Sequence, residues 1–287
     1  MGIFGFIADP LGDFMYFIYN NMAFKNYGIA IILFTVIIKL ILLPLTVKQM
    51  KSTTKMQEIQ PKIQELQKRY KNDKQKLNEE MMKLYQENKV NPMGGCLPLL
   101  VQMPILISLF QVFRNPLLYM LNKSQETVDT LSNYVAENVD KMTHYVQIDI
   151  LNYFNEHIDE LRQFGDMLKP EELINFQFIG LQLGRVPSIS TDKLFGPESH
   201  IYLPLLFIPI VGVAATFISS KLMTANSSSK NAGKSSTNKS MMYLGPVLTL
   251  VFSFQLPAGV GLYWIAGYIF QIFQQLYINK VVLKKED

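Results

Sequence analysis

Apolar residues are gathered along this chain into five stretches: Tyr27 to Val47, Cys96 to Met120, Ile201 to Met223, Met241 to Leu256 and Val260 to Asn279. A helix of about 20 mostly apolar residues crosses the hydrocarbon core of a bilayer. Each stretch is therefore predicted as a span. The fourth is short and stops at Pro257-Ala258-Gly259, a turn signal.

Helical spacing continues outside these stretches. Met56, Ile59, Ile63 and Leu66 recur on one face, as do Leu77, Met81, Leu84 and Tyr85, with Lys71-Asn72-Asp73 as a turn between them. Residues 48–95 thus read as a helical hairpin, with Pro61 kinking its first helix or marking its start. In residues 121–200, Val128, Leu131, Val135, Val139, Met142 and Val146 form one stripe. Leu151, Phe154, Ile158, Leu161 and Phe164 form another. Small helices, packed together or lying on the membrane surface, are expected there. Phe14, Met15, Phe17 and Ile18 suggest a short interfacial helix within residues 1–26. The loop 224–240 is low in complexity and reads as flexible, and residues 280–287 form a basic tail.

Charge orients the spans. Between Lys48 and Lys89 stand eleven Lys and Arg against six Asp and Glu. Lys230, Lys234 and Lys239 lie between spans three and four with no acid, and Lys280, Lys284 and Lys285 are in the tail. Acids outnumber bases between spans two and three. The positive-inside rule places the basic loops and C-terminus in the cytoplasm, and the N-terminus and acidic segment outside. The fold expected is an all-α polytopic membrane protein: five transmembrane helices, a cytoplasmic helical hairpin and a helical extracellular insertion. A composition 49% hydrophobic and 17% charged agrees with it. No cleaved signal peptide is expected, because the first residues lack a basic region and Asp9, Pro10 and Asp13 interrupt their apolar part. Insertion is then expected to start from the first span.

The sequence offers little to catalysis. His144, His157 and His200 lie outside the spans without metal-binding spacing, and the phosphate-loop and nucleophile-elbow patterns are absent. A single cysteine, Cys96, excludes an internal disulfide and reads as inert packing. Not an enzyme, no metal and no cofactor is the reading. The protein is expected to work by offering a surface or a path.

Polar residues inside the spans mark where that path lies. Lys39 interrupts FTVIIKLILLPL nine residues before Lys48, at a depth of roughly 13 Å if the helix is straight. The hydrocarbon half-thickness is about 15 Å. No Asp or Glu stands in any span to neutralise it. Such a charge usually faces a bundle interior or a wet cavity and serves function. Thr35 lies four residues upstream, Gln102 in span two, Ser219 in span three and Gln255 in span four. Tyr263, Trp264, Tyr268, Gln271, Gln274 and Gln275 lie in span five. Together they could line a polar cavity around Lys39, although each singly could bond a neighbouring helix.

Four long stretches in order resemble the YidC membrane-protein insertase family. They are YGIAIILFTVIIKLILLPLTVKQMKS, MQEIQPKIQELQKRYKNDKQKLNEEMMKLY, NPMGGCLPLLVQMPILISLF and MMYLGPVLTLVFSFQLPAGVGLYWI. The resemblance implies a five-helix core with a hydrophilic groove open to cytoplasm and lipid and closed to the outside. It puts the groove's positive charge at Lys39 and substrate contacts at Thr35 and Trp264. It also implies recruitment by the hairpin, where Lys55, Lys62, Lys68, Arg69 and Lys71 are the candidates. The implied partners are nascent membrane-protein substrates, the lipid bilayer, the ribosome and the Sec translocon, with no specific DNA binding. With no transit peptide in the sequence, the expected location is a bacterial plasma membrane rather than an organelle.

The chain departs from the family pattern. Lys replaces the usual Arg at position 39, Ser219 stands where Gln is expected, and residues from about Asn122 to Asn175 look inserted. Lysine loses its proton more readily on burial, so its charge requires a wet groove. Two other classes remain open from the residues alone. A small transporter or anion channel could bind its solute at Lys39, and an assembly factor would need the hairpin but not Lys39.

Overall fold

The computed structural model describes residues 5–90, 97–225 and 236–277. Cys96, most of the low-complexity loop and the basic tail lie outside the described residues. Helix dominates. Chain order begins α1 (Gly5–Asn21), α2 (Tyr27–Ile41), α3 (Leu43–Arg69), α4 (Lys74–Glu87), α5 (Leu97–Arg114) and α6 (Pro116–Tyr119). It continues through α7 (Gln125–Asn138), α8 (Val146–Glu156), β1 (Gln177–Phe178) and β2 (Leu181–Gln182). It closes with α9 (Thr191–Phe195), α10 (Ser199–Leu205), α11 (Phe207–Ala225), α12 (Ser236–Ser253) and α13 (Ala258–Tyr277).

By length and apolarity, Ser199–Leu222 forms a helix able to cross a membrane. Tyr27–Ile41 and Leu43–Met56 pass the same test only as a bent pair, with 63° between them. The stretch expected as one span to Val47 thus breaks at Leu42. Pro44 explains the break: it has no N–H for the carbonyl of Leu40, and its ring crowds that carbonyl. Proline is tolerated in the first turn, so the chain restarts there as α3. α3 then runs through Pro61, which does not mark its start.

The chain folds as two compact units. The first comprises Met1–Ile37, Met103–Val213 and Thr249–Gly267. In α1, Gly5, Ala8, Gly12, Met15, Ile18 and Tyr19 share the buried face. Gly12 meets the backbone of Tyr119 in α6 so closely that a Cβ would collide with its carbonyl. The acidic segment has its own core. Val128, Leu131 and Val135 of α7 are buried, as are Ile148, Ile150, Leu151 and Phe154 of α8. Phe164 packs edge-on to Tyr134, with ring centres 5.0 Å apart. Glu160 accepts from the hydroxyls of Tyr134 at 3.0 Å and Tyr153 at 2.6 Å. Lys123 donates to both carboxylate oxygens of Glu172, at 2.7 and 2.8 Å.

This segment is not wholly helical. α7 stops at Asn138, where Val139 turns extended, so the stripe from Val128 to Val146 does not lie on one helix. β1 and β2 pair antiparallel, Gln177 with Gln182 and Phe178 with Leu181. The apolar–polar alternation of this hairpin is too short to stand out as a strand pattern.

The second unit comprises Ile38–Gln102, Ala214–Leu248 and Tyr268–Asp287. Its hairpin packs α3 on α4 around Ile59, Ile63, Leu84 and Val90, with Met56, Leu66, Met81 and Tyr85 against them. Asp73 starts α4 by accepting from the Lys76 amide at 3.0 Å. Elsewhere in this unit, α11 and α12 approach closely at Gly245. A Cβ there would sit 3.2 Å from Thr216 Cγ2. Phe217 and Tyr243 have ring centres 6.2 Å apart.

Candidate functional site

Lys39 lies in the last turn of α2 and is half-buried. Among the described residues no carboxylate forms an ion pair with it. The bend at Leu42 shortens the distance from Lys39 to Lys48 along the α2 axis. Three residues along α2 and six along a helix turned by 63° project to roughly 9 Å along the α2 axis, not 13 Å. A lysine stem covers much of that distance.

One turn upstream, Thr35 is fully buried, and its hydroxyl donates to the Ile31 carbonyl at 2.6 Å. That bond commits the hydroxyl proton to its own helix. In the second unit, Ser219 of α11 and Gln274 and Gln275 of α13 are buried, while Gln271 is half-buried. The Gln274 amide nitrogen is shut from solvent without a hydrogen-bond partner. Thr216, one turn before Ser219, is also buried, so this part of α11 carries polar groups inward. Gln102 lies on α5, and its side chain lies outside the described residues.

In the first unit, Tyr263 is buried with its ring 6.1 Å from Phe113, which stands 6.4 Å from Tyr27. Trp264 is half-buried and meets Phe252 edge-on at 6.1 Å. Gln255 departs from expectation. α12 ends at Ser253, and Gln255 is exposed in the turn that follows. The Gln255 amide nitrogen donates to the Phe252 carbonyl at 3.0 Å, and Leu256 donates to the same carbonyl at 3.0 Å.

That turn holds groups the sequence did not announce. The Tyr145 hydroxyl donates to the Gln255 carbonyl at 2.6 Å. The Ala258 amide donates to the Arg185 carbonyl at 2.9 Å, and the Gly259 amide to the Leu183 carbonyl at 2.8 Å. Arg114 stands 6.0 Å over the Tyr145 ring. Burial pushes the Tyr145 phenol up, with Arg114 opposing, so the hydroxyl stays a donor at neutral pH. The acidic segment therefore clamps the α12–α13 turn. Two of its three bonds end on backbone carbonyls of residues 183 and 185, which no side-chain motif reveals.

On the hairpin, Lys55, Lys62, Lys68, Arg69 and Lys71 are all exposed. The apolar positions that alternate with them face α4, leaving a basic outer surface.

Known proteins resemble the chain over nearly its full length. The family model described as 60Kd inner membrane protein matches residues 17–286. A membrane protein insertase YidC of Fusobacterium nucleatum is 31% identical over 280 residues, 96% of this chain and 98% of the relative. A membrane protein insertase YidC 2 of Listeria innocua is 33% identical over 276 residues, 94% of this chain and 69% of the relative. A membrane protein insertase YidC of Prosthecochloris aestuarii is 32% identical over 280 residues, 96% of this chain but only 36% of that longer protein.

Proposed function

The chain belongs to the 60Kd inner membrane protein family, that of the YidC insertases, and from that premise we propose that it inserts nascent membrane proteins into a bacterial plasma membrane. It acts as a five-span protein with its N-terminus outside and its C-terminus in the cytoplasm. Lys39 gives a hydrophilic groove its positive charge. That charge transiently attracts acidic residues in the outer tail of a substrate. The substrate helix then moves sideways into lipid, driven by burial of its apolar surface. Neither nucleotide nor metal takes part. The exposed cations of α3 and its turn recruit substrates and, with the tail, the ribosome or Sec translocon.

Lys39 itself carries this reading. It is a half-buried cation in an apolar run, without a carboxylate partner among the described residues, in a chain similar almost end to end to named insertases. The bend at Leu42 supports a charge that lies close to the cytoplasmic edge of the span. Ser219 and Gln275 supply buried polar groups within the second unit. Thr35, Tyr263 and Trp264 remain candidate substrate contacts of the first unit.

The test is insertion of a single-span substrate with an acidic outer tail into proteoliposomes. Lys39→Arg keeps insertion, whereas Lys39→Ala and Lys39→Glu impair it. Normal insertion by Lys39→Glu would falsify the charge-attraction step. Crosslinks from Thr35 and Trp264 to a stalled nascent chain test the contacts.

A further inference from the structure

Two turns of the first unit carry a large apolar residue in a backbone conformation that ordinarily excludes it. Ile179 is the first of two residues joining β1 to β2, with φ +48°, and Gly180 follows at +76°. Positive φ at both positions is the pattern of a tight hairpin turn in which Asn, Asp or Gly usually stands first. A β-branched side chain there is an outlier. Ile179 is also 85% exposed, so packing within the unit does not offset the strain. Phe24, between α1 and α2, repeats the combination, with φ +52° and 91% exposure of the residue.

The two turns are neighbours. Phe178, beside Ile179, rests its ring on Gly28 so closely that a Cβ on Gly28 would collide with it. Gly28 is the second residue of α2, and Phe24 lies four residues before it. Lys25 is exposed and also has positive φ, at +55°.

We infer that these turns form a shallow lipid anchor in which Phe24 and Ile179 enter the headgroup–acyl boundary and Lys25 meets lipid phosphate. The occupant follows from position: α2 begins its apolar run three residues after Phe24, so this turn lies at the surface that the run enters. Apolar side chains gain from burial at that depth, and a lysine gains from anionic headgroups. In water, Asn at 179 would suit the turn better. The inference rests on the proposed reading of the chain as a five-span membrane protein, in which α2 enters the bilayer.

The experiment uses the full chain with Cys96→Ala and single cysteines at Phe24, Ile179, Asp159 or Ile210, each labelled with an environment-sensitive fluorophore. Asp159 is an exposed polar control in the acidic segment. Ile210 is an exposed apolar control on the helix apolar enough to cross a membrane. Each protein is placed in vesicles of phosphatidylethanolamine and phosphatidylglycerol with nitroxide groups at shallow or deep positions of the acyl chains.

Labels at Phe24 and Ile179 are expected to lose emission most to the shallow nitroxide, about 5–10 Å below the headgroups, and to resist aqueous iodide. The Ile210 label loses emission to a nitroxide, and the Asp159 label only to iodide. If Ile210 responds to nitroxide but Phe24 and Ile179 behave like Asp159, the anchor is overturned and the spanning reading survives. If Ile210 also answers only to iodide, the spanning reading fails and the anchor with it. A second measurement needs no label: Ile179→Asn is expected to lower the unfolding temperature in these vesicles. A rise would show relief of strain in a water-exposed turn and overturn the anchor.

Discussion

Tyr145 reaches 110 residues along the chain to donate its hydroxyl to the carbonyl of Gln255, at 2.6 Å. With the Ala258 and Gly259 amides on the Arg185 and Leu183 carbonyls, it joins the acidic segment to the turn before α13. Tyr145→Phe removes one bond and leaves the ring in place. The expected loss is about 0.5–1.5 kcal/mol. Amide hydrogen exchange at Ala258 and Gly259 should quicken by up to about tenfold, while α7 and α8 stay protected. Unchanged exchange at both amides would show that the turn is held without this hydroxyl.

The hairpin core is a separate test within the second unit. Ile63 is buried between α3 and α4. Truncation of Ile63 to Ala is expected to cost about 2–4 kcal/mol through lost contacts and the cavity left behind. Limited proteolysis should then cut first between Lys51 and Lys89. An uncut hairpin in this variant would argue that another partner holds the two helices.

Gly245 sets the approach of α12 to α11. Ala in its place needs only a small movement of Thr216, because the added carbon would stand 3.2 Å from its methyl. Leu cannot be seated without parting the helices, and the overpacking should cost about 1–3 kcal/mol. Thermal unfolding in lipid should therefore rank wild type near Gly245→Ala and well above Gly245→Leu. Equal unfolding temperatures for all three would remove the close contact.

Acid and alkali should loosen the acidic segment for the same reason. The Tyr153 hydroxyl bonds Glu160, which pushes the phenol up to about 12 and holds the carboxyl below its usual range. The raised phenol contributes stability fully below its ordinary value of 10.0, and this is lost as pH rises through about 12. The depressed carboxyl contributes stability above its ordinary value of 4.5, and this is lost as pH falls through its folded value. A stability plateau should lie between. Tyr153→Phe should flatten the alkaline limb and shrink the acid one, read by unfolding against pH. An unaltered profile in that variant would assign both limbs to other groups.

Much of the architecture was legible in runs of consecutive residues. The apolar spacing at Met56, Ile59, Ile63 and Leu66 anticipated the packed face of α3, and Lys71-Asn72-Asp73 anticipated the turn that Asp73 caps. The candidate site was legible in part. Lys39 announced itself as a cation in an apolar run, and Ser219, Tyr263 and Gln275 are buried as polar groups of an interior would be. Gln255 misled, because an apolar run continues past Ser253 although the helix does not. The stripe through Val139 misled likewise, since its spacing continues where the backbone turns extended.

By itself the sequence determined helix periods, turns, the sign of each loop and the cation at Lys39 within an apolar run, because neighbouring residues alone decide these. Only the tertiary structure decided the angle of the Leu42 bend, the seating of Phe178 on Gly28 and the clasp of Tyr145 on Gln255. The two contacts join backbone and side chains more than 100 residues apart. Their stability depends on mutual fit in three dimensions, which hydrophobic period and charge do not encode.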